Sequence, residues 1–263
     1  MFDVSFLEIE QWVVSFLLPL FRVASFFMVV PMIGSRLVPI RIRLGVAIIV
    51  AILIAPLVPV TVNFEALSLQ MVTVIVEQIL IGTLMGFVIQ VLFQVFVLGA
   101  QVIAMQMGLG FASMSDPANG VSVAMLGQFY LMMVMLLFLA MDGHLVMIEV
   151  MARSFFIIPV GEALALDSLW RISLAGSWLF SSAMLMSLPA VTGLLVINFA
   201  FGVMTRAAPQ LNIFAIGFPF TMVMGLFVAW ASFSGFLEQY WRVSEFVFSH
   251  INSLLIAERA ADG

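Results

Sequence analysis

The chain has 263 residues, of which 64% are hydrophobic and only 9% charged, with a formal net charge of −5. A soluble domain carries roughly 25% charged residues, so a water-soluble monomer is excluded. The acidic balance excludes a nucleic-acid-binding face, and the absence of cysteine removes disulfides, thiolate zinc sites and iron–sulfur clusters.

The N-terminal stretch MFDVSFLEIE carries Asp3, Glu8 and Glu10 and no cation. A cleavable signal wants the opposite charge there, so the first apolar segment is expected to stay in the mature protein. Hydropathy then divides the chain into six segments, at 12–33, 44–62, 71–105, 121–150, 172–204 and 211–237. Segments 71–105 and 172–204 exceed the about 20 residues that cross a bilayer. Pro189 interrupts the latter and predicts a kink or a helical hairpin. No repeat, linker or low-complexity tract appears, and a single all-α, membrane-type unit is expected.

Arg36, Arg41 and Arg43, punctuated by Pro39, lie in the first connection. The positive-inside rule places them in the cytoplasm; a contact surface near a cytoplasmic entrance is the alternative. With six simple spans Arg206 joins them, while Arg153, Arg171, Arg242 and Arg259 fall opposite, four against four. Either the span count is wrong or these segments are not ordinary bilayer spans.

Within 71–105, Thr83, Gln90, Gln94 and Gln101 are spaced 7, 4 and 7 apart. At ~100° per residue they form a stripe about 40° wide. Amides are costly in hydrocarbon, so the stripe faces protein or a wet path. Hydrogen bonding between helices and an aqueous conduit both remain open. Gly82 and Gly86 form a GxxxG pair beside it, which permits close backbone approach.

The pattern then breaks at GLGFASMSDPANG, residues 108–120, which holds three glycines and a proline. Irregular backbone between apolar segments is tolerated only inside protein or beside a wet cavity. Met105, Met107 and Met114 flank or enter this loop, and Met132, Met133 and Met135 follow it. They read as ordinary packing or as a deformable seal.

Catalytic chemistry is sparse. Asp142-Gly143-His144 reads as a turn with a surface histidine rather than a metal pair. Gly108-Leu109-Gly110 lacks the third glycine and the preceding strand of a dinucleotide fingerprint. Glu77 and Glu149 are buried-acid candidates with no partner to make a proton relay. No nucleophile–base set, metal set or cofactor motif assembles. The stretch 236–262 is an amphipathic helix: Phe236, Leu237, Tyr240, Trp241, Phe248, Ile251, Leu254 and Leu255 mark its apolar face. Glu238 and Arg242 on the other face stand at a favourable i,i+4 spacing.

Three stretches together resemble one family: PMIGSRLVPIRIRLGVAI (31–48), QMGLGFASMSDPANG (106–120) and TRAAPQLNIFAIGFPF (205–220). They are similar to the FliR/SctT family of type III export-gate proteins, and the third reads as flagellar rather than virulence-type. The resemblance implies a non-enzymatic, cofactor-free subunit in the bacterial inner membrane, in the flagellar basal body, its core raised above the membrane plane. It implies helical hairpins, FliP-like over about 1–205 and FliQ-like over about 206–263, packed with FliP and FliQ in a helical export gate. FlhB and FlhA would lie at the entrance, with membrane lipid around it and unfolded flagellar substrates passing through. The loop 106–120 would be the channel plug, formed by Met107, Gly108, Leu109, Gly110, Phe111, Ala112, Ser113, Met114, Ser115, Asp116 and Pro117. Phe111 and Met114 would be its apolar tip. Arg206, Pro209, Gln210, Asn212, Phe214, Gly217 and Pro219 would serve subunit assembly. A small-solute transporter is the competing class; it needs paired mid-membrane charges and internal repeats, and neither appears.

Overall fold

A computed structural model describes residues 6–35, 38–58, 69–109, 121–162, 166–207 and 213–261. Among them the fold is all-α. The helices are α1 (Phe6–Val29), α2 (Pro31–Gly34), α3 (Ile40–Ile54), α4 (Leu69–Gln106), α5 (Val121–Ala140), α6 (Gly143–Ile157), α7 (Leu166–Ala207), α8 (Ile213–Ser232) and α9 (Phe236–Ala261). Short 3₁₀ turns follow α3 at Ala55–Leu57 and α8 at Phe233–Gly235. Among the described residues five stretches are long and apolar enough to cross a membrane, or six if α5 and α6 form one bent span.

Four expectations about these helices change. Segment 121–150 is two helices, bent by 72°. Asp142 adopts left-handed backbone, φ 55°, which a helix interior does not accept. The turn is as read, but His144 is half-buried rather than on the surface, and its Nδ1 has no hydrogen-bond partner among the described residues. Segment 172–204 is no hairpin: α7 runs unbroken through Pro189 for 42 residues. Several of its hydroxyls bond back to the helix's own carbonyls, as Thr192 does to Leu188 and Pro189 at 2.9 Å. Glu149 is exposed and pairs with Arg153 at 2.7 Å, one turn on; it is not a buried acid.

The chain forms two compact units. The first comprises 1–91, 139–175 and 247–263. There α1 packs on α3, and Leu18, Val23, Phe26 and Phe27 are buried with Ile81, Val88 and Ile89 of α4. The GxxxG pair does what its sequence suggests. A Cβ at Gly82 would collide with the Arg22 carbonyl, and one at Gly86 would stand 3.0 Å from the Phe26 carbonyl. The α1 backbone thus rests directly on α4.

The second unit comprises 92–138 and 176–246. Its core joins Phe93, Phe96 and Ala100 of α4 to Tyr130 and Phe138 of α5 and Phe236 of α9. Edge-on ring pairs knit it together, Phe96–Phe236 at 5.1 Å and Tyr130–Phe236 at 5.7 Å. Gly99 admits α7 closely: a Cβ there would meet Met186 Sδ at 3.0 Å and the Ala183 carbonyl at 3.2 Å. On α9 the buried seam is Phe236, Tyr240, Val243 and Val247, at helical spacing. Leu237 and Trp241, expected on the apolar face, are about half exposed instead. Glu238 and Arg242 do pair, at 2.9 Å.

Burial is uneven along these helices. In an 18-residue apolar window of α4 61% of the residues are buried, against 17% in such a window of α7. The outward side of α7 is apolar, with Leu185, Leu195, Val196 and Phe199 all more than half exposed. Such a surface asks for lipid or protein against it.

Candidate functional site

The most unusual group lies in the first apolar segment and had no part in the sequence reading. Arg22 is fully buried. Its Nε donates to Gln78 Oε1 at 2.8 Å, and its Nη1 donates to the Ser154 carbonyl at 3.1 Å and to Ser154 Oγ at 3.3 Å. Its Nη2 donates to the Ile158 carbonyl at 2.9 Å. The guanidinium carbon lies 4.2 Å from the centre of the Phe155 ring. Among the described residues none of these partners is a carboxylate.

The charge is instead met by the end of a helix. Ser154 and Ile158 stand at the C-terminus of α6, where unpaired carbonyls concentrate partial negative charge. The planar guanidinium reaches two carbonyls and an amide at once, which an ammonium does not. One side chain therefore ties α1, α4 and α6 together. The signal was a single cation inside an apolar run, a default functional marker in such segments; counting loop arginines for orientation passed over it.

The second feature is the root of the central loop. At the end of α4, Ile103 and Met107 are buried with Ala190 and Leu194 of α7, and Leu109, Leu126 and Val228 pack around them. Gly225 of α8 makes room for Met107: a Cβ there would come within 3.0 Å of Met107 Sδ and Cε. Asn198 of α7 donates to the Gln106 carbonyl at 3.4 Å, at the last residue of α4. Gly108 then turns the chain with φ 84°, its N–H bonded to the Met105 carbonyl at 3.0 Å. So Met107 and Leu109 are anchors in the core. The remaining plug positions, Gly110, Phe111, Ala112, Ser113, Met114, Ser115, Asp116 and Pro117, lie outside the described residues. Of the methionines tied to the loop, Met105 and Met132 are exposed, and Met133 and Met135 are half-buried.

Thr83, Gln90, Gln94 and Gln101 of the polar stripe are all half-buried on α4. Gln101 packs towards α5, its Cγ 3.5 Å from where a Cβ on Gly127 would stand. Of the first-connection residues, Pro39 and Arg41 are exposed and Arg36 lies outside the described residues. Arg43 folds back to donate to the Val38 carbonyl at 3.0 Å and to the Ser35 carbonyl, pinning the turn before α3.

The assembly residues are split. Arg206 is exposed in the last turn of α7, where a cation suits the helix dipole. Pro209, Gln210 and Asn212 lie outside the described residues, and Phe214 is in the first turn of α8. Gly217 is buried and Pro219 exposed. Phe201 and Phe220 meet edge-on at 5.0 Å, closing the ends of α7 and α8 around this motif. No group of three or more His, Asp or Glu among the described residues is arranged to hold a metal.

Residues 13–246 match the profile of the family described as Bacterial export proteins, family 1. The chain belongs to this family. It is 36% identical over 217 residues to the Flagellar biosynthetic protein FliR of Escherichia coli (strain K12), covering 82% of this chain and 83% of that one. It is 33% identical over 220 residues to the FliR of Pectobacterium carotovorum subsp. carotovorum, covering 83% and 84%. The FliR of Bacillus subtilis (strain 168) is 29% identical over 209 residues, covering 78% and 80%. The FliR family is a structural part of a flagellar export apparatus and not an enzyme, which fits a chain whose buried polar groups bind helices to one another.

Proposed function

We propose that this chain is a subunit of the flagellar type III export gate. It forms with FliP and FliQ the channel for unfolded flagellar substrates, and its central loop closes that channel. FlhB and FlhA lie at the entrance. The division into a FliP-like part over about 1–205 and a FliQ-like hairpin over about 206–263 belongs to this reading, as does a place in the bacterial inner membrane.

One observation carries the plug. The loop leaves α4 from a root that is over-determined: Met107 is seated on Gly225, Leu109 is packed on the same cluster, and Gly108 bends between them. A stopper needs a fixed base and a compliant tip. Phe111 and Met114 supply apolar bulk, and Ser113, Ser115 and Asp116 tolerate water. The half-buried stripe on α4 supports a wet path alongside, and the apolar outer side of α7 supports burial against FliP, FliQ and lipid.

The test is deletion of residues 110–116, leaving the anchor intact. Membranes carrying the assembled gate are expected to leak small ions while export continues. A tight membrane with the deleted chain fully assembled refutes the plug role. Purification discriminates the transporter class, because a gate subunit travels in a large particle with its partners.

A further inference from the structure

The Arg22 clamp leaves hydrogen-bond donors over. A guanidinium offers five N–H groups, and the bonds to Gln78, Ser154 and Ile158 account for four of them. Gln78 gives its carbonyl oxygen to Arg22, so its amide nitrogen must find an acceptor elsewhere. That nitrogen is buried and has no hydrogen-bond partner among the described residues. Both side chains are fully buried, so bulk water does not serve these groups. The acceptors at hand are engaged: the Ser154 carbonyl takes the Ile158 N–H as well as Arg22 Nη1, and the Ser154 hydroxyl donates to Met151. One N–H of Arg22 and two of Gln78 thus remain, beside a cation whose partners include no carboxylate.

We propose that the leftover donors of Gln78 and Arg22 bind one chloride ion. A halide accepts hydrogen bonds and donates none. Water also accepts, but it brings two O–H groups that need acceptors of their own, where Ser154 is already engaged. Charge points the same way. The end of α6 offers about half an elementary charge against the whole one on Arg22, and in a low-dielectric interior that imbalance favours an anion over a neutral guest. Full burial of both side chains argues for a guest of a single heavy atom. The helix end and the Gln78 oxygen still hold the guanidinium in place; chloride takes only the donors they leave, and adds stability to a fold that forms without it. The inference does not depend on the export reading.

The experiment uses the full chain with its co-purifying partners in detergent. The particle is equilibrated with radioactive chloride and passed by gel filtration into sodium gluconate, whose anion is too large for the site. One chloride is expected to be retained per copy of this chain. Its melting temperature, followed by size-exclusion fluorescence at constant ionic strength, is expected to rise saturably with chloride or bromide by about 2–4 °C. Gln78→Glu keeps an oxygen for Arg22 Nε and puts a second, negatively charged oxygen where the amide nitrogen stood. It is expected to lose both the retained chloride and the halide response, and to melt in gluconate no lower than the parent does in chloride. Gln78→Met, which has no N–H to offer, is expected to lose the retained chloride as well. Glu238→Gln, at an exposed pair far along the chain, is expected to keep both. No retained chloride, a melting temperature indifferent to halide, or chloride still retained in both Gln78 variants overturns the proposal.

Discussion

Replacing Arg22 tests the central physical claim, that a buried cation is held by a helix end and an amide rather than by a counter-ion. In Arg22→Met the volume is roughly kept, but Gln78 Oε1 and the Ile158 carbonyl lose the donors that reach them at 2.8 and 2.9 Å. Each buried acceptor left unmet costs about 1–3 kcal/mol, so the loss is about 2–6 kcal/mol. Ser154 adds little, because its carbonyl still accepts the Ile158 N–H at 2.9 Å and its hydroxyl still donates to Met151 at 2.7 Å. Arg22→Lys keeps the charge but not the fork, and is expected to lose about 3–5 kcal/mol, as for a buried charge stripped of a partner. The decisive measurement is a double-mutant cycle with Gln78→Leu, read as thermal unfolding of the detergent-solubilised chain by size-exclusion fluorescence. Gln78→Leu alone strands the Arg22 Nε–H. In the Arg22→Met background it removes an already orphaned amide, and recovers about 1–3 kcal/mol. Strict additivity of the two substitutions would refute the account.

Other substitutions probe single contacts. Gly82→Ala drives a methyl into the Arg22 carbonyl and is expected to cost about 1–3 kcal/mol. Gly176→Ala, where a Cβ meets nothing within 4 Å, is expected to be neutral or to stabilise by up to ~1 kcal/mol; the same melting assay compares them. Gly108→Val meets the left-handed penalty of about 1–2 kcal/mol and should lower the yield of assembled particle, whereas Gly108→Asn is tolerated. Met107→Ala empties the anchor opposite Gly225 and costs about 2–5 kcal/mol; on the plug reading, surviving assemblies leak ions, measured as conductance. Neutralising the exposed pair with Glu238→Gln changes stability by less than about 1 kcal/mol and leaves swimming motility unchanged.

The helices were legible in the sequence where composition alone decides, and the turn chemistry at Gly108 and at Asp142-Gly143 was legible as well, but the geometry of the breaks was not. Hydropathy finds the apolar segments within a few residues, because burial and lipid exposure select the same side chains. Hydropathy runs segment 121–150 straight through Asp142; the Asp-Gly pair marks the turn there, but not the 72° bend it makes. Of the two outcomes Pro189 allows, the hairpin does not form: the 42-residue helix continues through it. The GxxxG pair and the Glu238–Arg242 spacing translated directly into contacts, because both rules are local and geometric. Arg22 did not, because its partners lie on two other helices and no local spacing connects them. Glu149 differs: its partner Arg153 stands at the same local i,i+4 spacing as the Glu238–Arg242 pair, and the apolar neighbours, not distance along the chain, made it look buried.

The clamp at Arg22 also sets an order of events during synthesis. Its acceptors on Ser154 and Ile158 lie 132 and 136 residues further along the chain. Until the ribosome has delivered them, the guanidinium must stay hydrated or rest among lipid headgroups, because a bare cation in hydrocarbon is costly. The first helix is therefore expected to reach its final packing only after the sixth helix has been made.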